Sequence, residues 1–481
     1  MNSLASHWLN YIDGEWCDSD RHLTVNNPGN GEPLATIAEA SIADTERALV
    51  AARRCVDSRA LSKVRPAQRV SWLLAIADEV RSVAEEGAWV LCQENGKSLR
   101  DARDEFIEAA RYFEYYAGMA DKIEGASIPL GDDYMDFTVY DPMGVSVQIV
   151  PWNFPVSICA RSLAPALAAG NAVIVKSPEL SPLGICMLIE AINRVGLPRG
   201  AVSLLCGRGR EIGAHLVSHP SVDQIVFTGS VPTGQSILRA AAERAIPSVM
   251  ELGGKSAALV FADADLAQLL SSVKSGIFFN AGQVCSAMSR LLVQRDIYEE
   301  VIESVVQLAE GLKVGLGQDD SELTPVISAG QLDSIQTLCQ RAVAEGAVVA
   351  TGGEAFNDRA GHFMRPTVFR DVSPDMCIAQ EEVFGPVLAI IPFDTEEQAI
   401  EIANGTEFGL VAGVFTQDLS RAMRCARRLK SGQVFINEWY AGGIETPFGG
   451  VGLSGFGREK GQEALYSYVR TKNVAIRVAQ E

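Results

Sequence analysis

Gly144-Val145-Ser146-Val147-Gln148-Ile149-Val150-Pro151-Trp152-Asn153-Phe154-Pro155 opens the part of the chain that decides its architecture. An apolar run of strand length ends in a loop stiffened by two prolines, and a helical pattern then covers 155–169 and stops at Gly170. A β-rich run follows at 172–176, then a helix at 182–195 closed by Gly196 and Pro198. Strands at 202–205, 224–227 and 248–251 alternate with helices at 210–218 and 232–244. This alternation predicts α/β architecture, a parallel sheet with helices on both faces, whose ligands bind at the carboxyl ends of the strands. A second alternating set begins near 256 and passes through a helix at 266–279, a strand at 290–294 and a helix at 296–313. It continues with strands at 387–393, 411–415 and 433–436 and helices at 395–404 and 418–429.

Toward the N-terminus, residues 8–40 read as short strands and turns, marked by Asp13-Gly14 and Asn27-Pro28-Gly29. Helices are expected at 43–57, at 66–94 with Pro66 in its first turn, and at 98–122. Residues 126–142 form an extended excursion, and the tail at 464–478 has the β-branched content of a terminal strand.

At 481 residues, 47% of them apolar, the chain is expected to form two or three domains or one large α/β assembly. Its net charge of −19 offers no basic footprint for nucleic acid and reads as a solubility feature. The ten cysteines include no CxxC pair, which in a chain this size points to a reducing compartment. Residues 1–13 lack a secretory pattern, and the most apolar stretch, near 163–175, is too short for a membrane span. The expectation is a soluble cytoplasmic protein with no nucleic-acid or membrane partner.

Candidate chemistry lies in loops after predicted strands. Cys285 follows the polar, Gly-containing bend Asn280-Ala281-Gly282-Gln283, which can present a thiol to a substrate. Asn153, fixed between prolines, offers an amide N–H for an oxyanion. Lys176 and Glu179, three apart in a turn, can hold a ribose. Gly229 and Ser230 open a helix whose free N–H groups suit phosphate, although the segment is not the GxGxxG fingerprint. Glu251 ends an apolar strand before Gly253-Gly254, and apolar surroundings raise a carboxyl pKa toward that of a general base. Glu382 and Phe384 precede a Gly-Pro turn, and Pro447-Phe448-Gly449-Gly450 begins a late Gly-rich loop. His215 and His219 lie four apart but show no metal motif and no third ligand, so no metal is expected.

The order PWNFP (151–155), KSPE (176–179), FTGS (227–230), MELGGKS (250–256), FNAGQVCS (279–286), EEVFGP (381–386) and PFGG (447–450) with SGFGRE (454–459) resembles the NAD(P)-dependent aldehyde dehydrogenase superfamily over essentially the whole chain. The resemblance implies a Rossmann-type NAD-binding domain from 1–123 and 143–253, an α/β catalytic domain from 254–453, and a small β oligomerisation element from 124–142 and 464–481. It also implies a homodimer or homotetramer. Cys285 would be the nucleophile, Asn153 and the Cys285 backbone N–H the oxyanion donors, and Glu251 the base that activates the hydrolytic water. Trp152, Gly229 and Ser230 would face the pyrophosphate, Lys176 and Glu179 the adenosine ribose, Glu382 the nicotinamide ribose and Phe384 its ring. Glu179 favours NAD, with NADP less favoured, because a carboxylate repels a 2′-phosphate.

Phe154, Arg161, Phe279, Val284, Trp439, Tyr440 and Phe448 would form the substrate pocket. The loop 437–443 would add Glu438, an acid that disfavours anions. The substrate expected is an aromatic or medium-chain aldehyde. One alternative is a semialdehyde whose distal carboxylate binds Arg161, although Phe279 stands where such enzymes carry a second Arg. Another is a non-catalytic NAD-binding protein on the same fold.

Overall fold

The computed structural model describes residues 4–478, so residues 479–481, the end of the expected oligomerisation element, and residues 1–3 lie outside the described residues. Five parallel strands form the centre of an eight-stranded sheet, in the order Ser248–Glu251, Gln224–Thr228, Val145–Ile149, Ala172–Ser177, Val202–Cys206. Chain order reverses between Val145–Ile149 and Gln224–Thr228, and the loops leaving these two strands carry Asn153 and Ser230. A crevice at such a reversal is where open α/β sheets bind ligands. The sheet edges are antiparallel, with Asn10–Ile12 and Glu15–Cys17 on one side and Gly455–Phe456 on the other. Gly455 allows the second pairing, since a Cβ there would lie 1.9 Å from the Met250 carbonyl oxygen.

A seven-stranded sheet follows, in the order Val348–Thr351, Thr367–Arg370, Val387–Phe393, Arg290–Gln294, Ala257–Val260, Val411–Phe415, Gln433–Ile436, parallel except at its first pair. The two sheets enclose separate apolar cores, and residues 252–256 link them. A third sheet joins Ser127–Ile128, Tyr134–Pro142 and Val469–Arg477. The terminal strand forms as expected, preceded by a short helix at Gly461–Tyr466.

Local signals set many element ends. Ser41 and Asp44 form a capping box at the start of Ile42–Asp57. Pro155 begins and Gly170, at φ 93°, ends a helix whose every residue is buried. Arg161 therefore has no solvent face and must be paired inside. The helix expected at 66–94 is broken at Val83 into Pro66–Ser82 and Ala84–Asn95. The helix expected at 266–279 is regular only over Leu266–Val273 and then widens into a π-turn, Lys274–Phe278. Asn280, Ala281 and Gly282 next adopt φ of 48°, 53° and 70°, a left-handed run that turns the chain before Cys285.

Candidate active site

Five separated loops meet at one point, with glycines at several of the close contacts. The Asn153 side-chain N–H donates to the Gln283 carbonyl at 3.0 Å, and Asn280 Nδ2 donates back to the Asn153 carbonyl at 3.2 Å. Gly254 lies against the Cys285 carbonyl, where a Cβ would approach to 2.6 Å. Gly253 gives Glu382 room, since a Cβ would meet Glu382 Oε2 at 2.2 Å, and the Gly254 N–H donates to Glu382 Oε1 at 3.0 Å. Gly449 makes the same kind of space for Glu251, with Oε1 2.7 Å from its would-be Cβ. Glu251 sits opposite Thr228 in the sheet, and its carbonyl accepts the Gly229 N–H at 3.0 Å. It is buried, and neither carboxyl oxygen has a hydrogen-bond partner among the described residues. Lys97 supports this centre from behind, donating to the Asn153 carbonyl at 2.8 Å and to buried Glu105 at 2.6 Å.

The expected cofactor groups surround the switch point. The Trp152 and Phe384 rings meet edge to face at 5.3 Å. Ser230 caps Val231–Ala242 with its hydroxyl on Thr233 Oγ1 at 3.0 Å and not on a backbone N–H, leaving N–H donors of the first turn open. Lys176 is buried with its ammonium 3.9 Å from Glu179 Oε1, and the Gly209 N–H holds that same oxygen at 2.8 Å. Gly209 had no separate signature in the sequence, because the Gly207–Gly213 stretch fails the dinucleotide fingerprint.

On the other side of Cys285 a cavity of about 350 Å³ is lined by Phe154, Arg161, Phe279, Val284, Tyr440 and Phe448. Phe154 and Phe279 stack at 5.8 Å, and Tyr440 stands edge-on to Phe279 at 6.4 Å. Trp439, expected in this wall, instead packs behind it. Its ring fills the space beside Gly413 and its N–H donates to the Ser286 carbonyl at 3.1 Å. Glu438 is exposed and outside the cavity lining, so the acid expected to disfavour anions does not face the substrate. Arg161 pairs with Glu459, which also accepts Ser162 Oγ at 2.6 Å, and it lies 5.2 Å from the centre of the Phe448 ring.

A family model for the aldehyde dehydrogenase family matches residues 16–474. The chain belongs to that family. It is an oxidoreductase acting on aldehydes. It is 38% identical over 472 residues to betaine aldehyde dehydrogenase of Bacillus subtilis (strain 168), covering 96% of each chain. It is 39% identical over 480 residues to retinal dehydrogenase 2 of Homo sapiens, covering 98% of this chain and 92% of that one. Among solved structures, the NAD+ complex of an aldehyde dehydrogenase from Bacillus cereus matches with a TM-score of 0.96 at 37% identity, covering 98% of this chain and 97% of the other.

In this aldehyde dehydrogenase, burial pushes the Cys285 thiol up to about 12; Arg161 pulls it down, while Glu382 and Glu251 push it further up. Burial also holds the Glu251 carboxyl well above the usual carboxylate range, aided by Glu459 and opposed by Arg161 and Arg458. Glu382 is raised to about 7 by burial, against the Gly254 N–H and Lys255. Lys255, buried with its ammonium unpartnered among the described residues, is lowered to about 7 by burial and by Arg290.

Three charged residues at or behind the cavity were given no role in the sequence. Glu108 and Lys460 line it, and Glu459 sits behind Arg161. They come from a helix and a loop far apart in the chain; Glu459 ends the SGFGRE run, but nothing local marks its pairing with Arg161 or the place of Glu108 and Lys460. Sequence reading also missed a third group beside His215 and His219. Glu46 lies 2.6 Å and 3.4 Å from their Nε2 atoms. His219 Nδ1 accepts the Ser221 N–H at 3.1 Å, which leaves the proton of a neutral ring on Nε2, facing Glu46 rather than presenting a lone pair to a metal.

Proposed function

We propose that this enzyme oxidises its aldehyde to the carboxylic acid with NAD, through a thiohemiacetal and then a thioester on Cys285, which water hydrolyses. The observation that carries this reading is Glu251, a buried carboxyl with two unpartnered oxygens at a strand end beside the Cys285 loop. Such a group costs the fold free energy and has the raised pKa of a general base. Cys285 gives its thiol proton to Glu251, which passes it to solvent, and Sγ adds to the aldehyde carbon. The oxyanion that forms is held by the Asn153 amide and the Cys285 backbone N–H, each such donor contributing roughly 3–4 kcal/mol in comparable sites. The chemistry a bound nicotinamide supplies is acceptance of a hydride from that carbon. Glu251 then takes a proton from the water that attacks the thioester, and the acid leaves with Cys285 restored as a thiol.

The residues present fit a dinucleotide. Glu382 Oε2, the buried Lys176 ammonium and the open first turn at Ser230 are polar groups without full partners. Glu382 would hold the nicotinamide ribose, Phe384 would pack by its ring, Gly229, Ser230 and Trp152 would face the pyrophosphate, and Lys176 with Glu179 would hold the adenosine ribose. Glu179 favours NAD over NADP. The same reading assigns 1–123 and 143–253 to cofactor binding and 254–453 to catalysis. It assigns 124–142 with the tail from 464 to a homodimer or homotetramer contact, supported by exposed Tyr134, Met135 and Ile476 on that sheet. No helix among the described residues is long and apolar enough to cross a membrane, which agrees with a cytoplasmic enzyme.

The rings of Phe154, Phe279, Tyr440 and Phe448 favour an aromatic or medium-chain aldehyde. Glu459 already engages Arg161, which weighs against Arg161 itself gripping a distal carboxylate. The test is NADH formation with aromatic and medium-chain aldehydes, with Cys285→Ala as control. One NADH per acid formed, lost in the variant, is expected. No NADH from any aldehyde while NAD binds would leave the non-catalytic reading standing.

A further inference from the structure

Two cations line the cavity in front of Cys285, and they are paired to different degrees. The Arg161 guanidinium is matched by buried Glu459. The Lys460 ammonium lies 4.0 Å from Glu108 Oε1, beyond hydrogen-bond length, and donates to no group among the described residues. Glu108 is engaged elsewhere, accepting Ser157 Oγ at 2.6 Å and the Tyr112 hydroxyl at 3.2 Å. The Lys460 side chain is only 20% exposed, so its charge has given up much of its water in exchange for one long ion-pair contact with Glu108 and no hydrogen bond.

The backbone adds an independent observation. Lys460 adopts φ 61° and ψ 170°, a region almost restricted to glycine. Its neighbours pin it there. Phe448 and Glu459 exchange backbone hydrogen bonds of 2.6 and 2.8 Å, and the Gly461 N–H donates to the Ile444 carbonyl at 2.7 Å. Glycine would fill this position without strain, yet the chain places a lysine there and holds its side chain at the cavity wall.

We propose that Lys460 is a specificity residue that receives a carboxylate at the far end of the aldehyde substrate. The intervening apolar segment lies between the rings of Phe154, Phe279, Tyr440 and Phe448. This rests on the reading that Cys285 oxidises an aldehyde in this cavity. Glu438 faces solvent outside it and does not oppose an anion there.

The test uses the full-length enzyme with saturating NAD and aldehydes of equal length, one ending in a carboxylate, one in its neutral methyl ester and one in an amino-acid zwitterion. kcat/KM is measured for the wild type, Lys460→Met, Lys460→Gly and Lys460→Arg. Lys460→Gly suits the backbone and removes the ammonium without depending on a strained variant. The wild type is expected to prefer the carboxylated aldehyde over the ester by about tenfold or more, the scale of one charged hydrogen bond. Lys460→Met and Lys460→Gly should each lower that ratio by about tenfold, through KM, and Lys460→Arg should keep most of it. Preference for the zwitterion over the simple acid would assign the carboxylate to an amino acid and bring Glu108 into its recognition. Turnover without discrimination, or a ratio unchanged in Lys460→Met and Lys460→Gly, overturns the assignment of Lys460 alone. No turnover of any aldehyde overturns the activity beneath it and the assignment with it.

Discussion

The two sides of Cys285 are built differently. Toward Glu251 and Glu382, contiguous motifs with glycines at the contact points leave both Glu251 oxygens bare and give Glu382 a single N–H donor, from Gly254. Toward the scaffold around the cavity, buried charges come in matched pairs, Arg161 with Glu459 and Lys97 with Glu105. An unpaired buried carboxyl is costly, so one that a packed strand end retains marks chemistry. A matched buried pair holds shape, and removing one partner exposes the cost of the other.

The contrast can be broken by substitution on each side. Cys285→Ala should lower turnover by on the order of 10⁴-fold or more while leaving NAD binding intact, read by quenching of tryptophan fluorescence. Glu251→Gln should lower kcat by about 10²–10⁴-fold. The wild-type rate should also fall as pH drops through the raised Glu251 pKa, because the group is a base only when ionised, and the variant should lose that acid limb in a kcat–pH profile. Arg161→Leu should act mainly on stability, by about 3–5 kcal/mol in urea denaturation, because Glu459 is left buried and uncompensated. Adding Glu459→Gln should recover part of that loss; no recovery would mean the pair is not what Arg161 supplies.

Glu382 sharpens the comparison on the cofactor side. Its carboxyl is raised to about 7, so below that pH it is protonated and, in the proposed role, would be a poorer acceptor for the nicotinamide ribose. NAD affinity should weaken by up to about tenfold per pH unit below 7, and the dependence should flatten in Glu382→Gln. The smallest effect is expected at Glu438, outside the cavity, where Glu438→Gln should change kcat/KM by no more than about twofold for any aldehyde.

The loops that meet around Cys285 and six of the seven expected pocket residues were legible in the sequence, Trp439 being the exception, while the charges set around Arg161 were not, for a physical reason. Asn153, Ser230 and Glu251 each end a strand in a loop with its own proline or glycine signal. The helix Pro155–Ala169 carries both its start and its stop in the sequence. Cavity identity depends on tertiary placement. Trp439 and Tyr440 are adjacent rings, and which one faces Cys285 follows from the left-handed turns at Asn437 and Tyr440, at φ 57° and 65°. The charges of Glu108, Glu459 and Lys460 matter only because folding sets them around Arg161. The break at Val83 has no glycine or proline to announce it; both halves pack on Leu99–Ala117. The helix Ala329–Ala344 and the strands Val348–Thr351 and Thr367–Arg370 went unread between stronger signals.

The central claim is that Cys285 carries the acyl group and that Glu251 releases it. The most direct measurement is a single-turnover experiment on Glu251→Gln with NAD and an accepted aldehyde, followed by intact-protein and peptide mass spectrometry. The account predicts a burst of NADH of about one per subunit, with a stalled acyl adduct on the peptide containing Cys285. A burst without an adduct on Cys285, or an adduct that clears as fast as in the wild type, would contradict it.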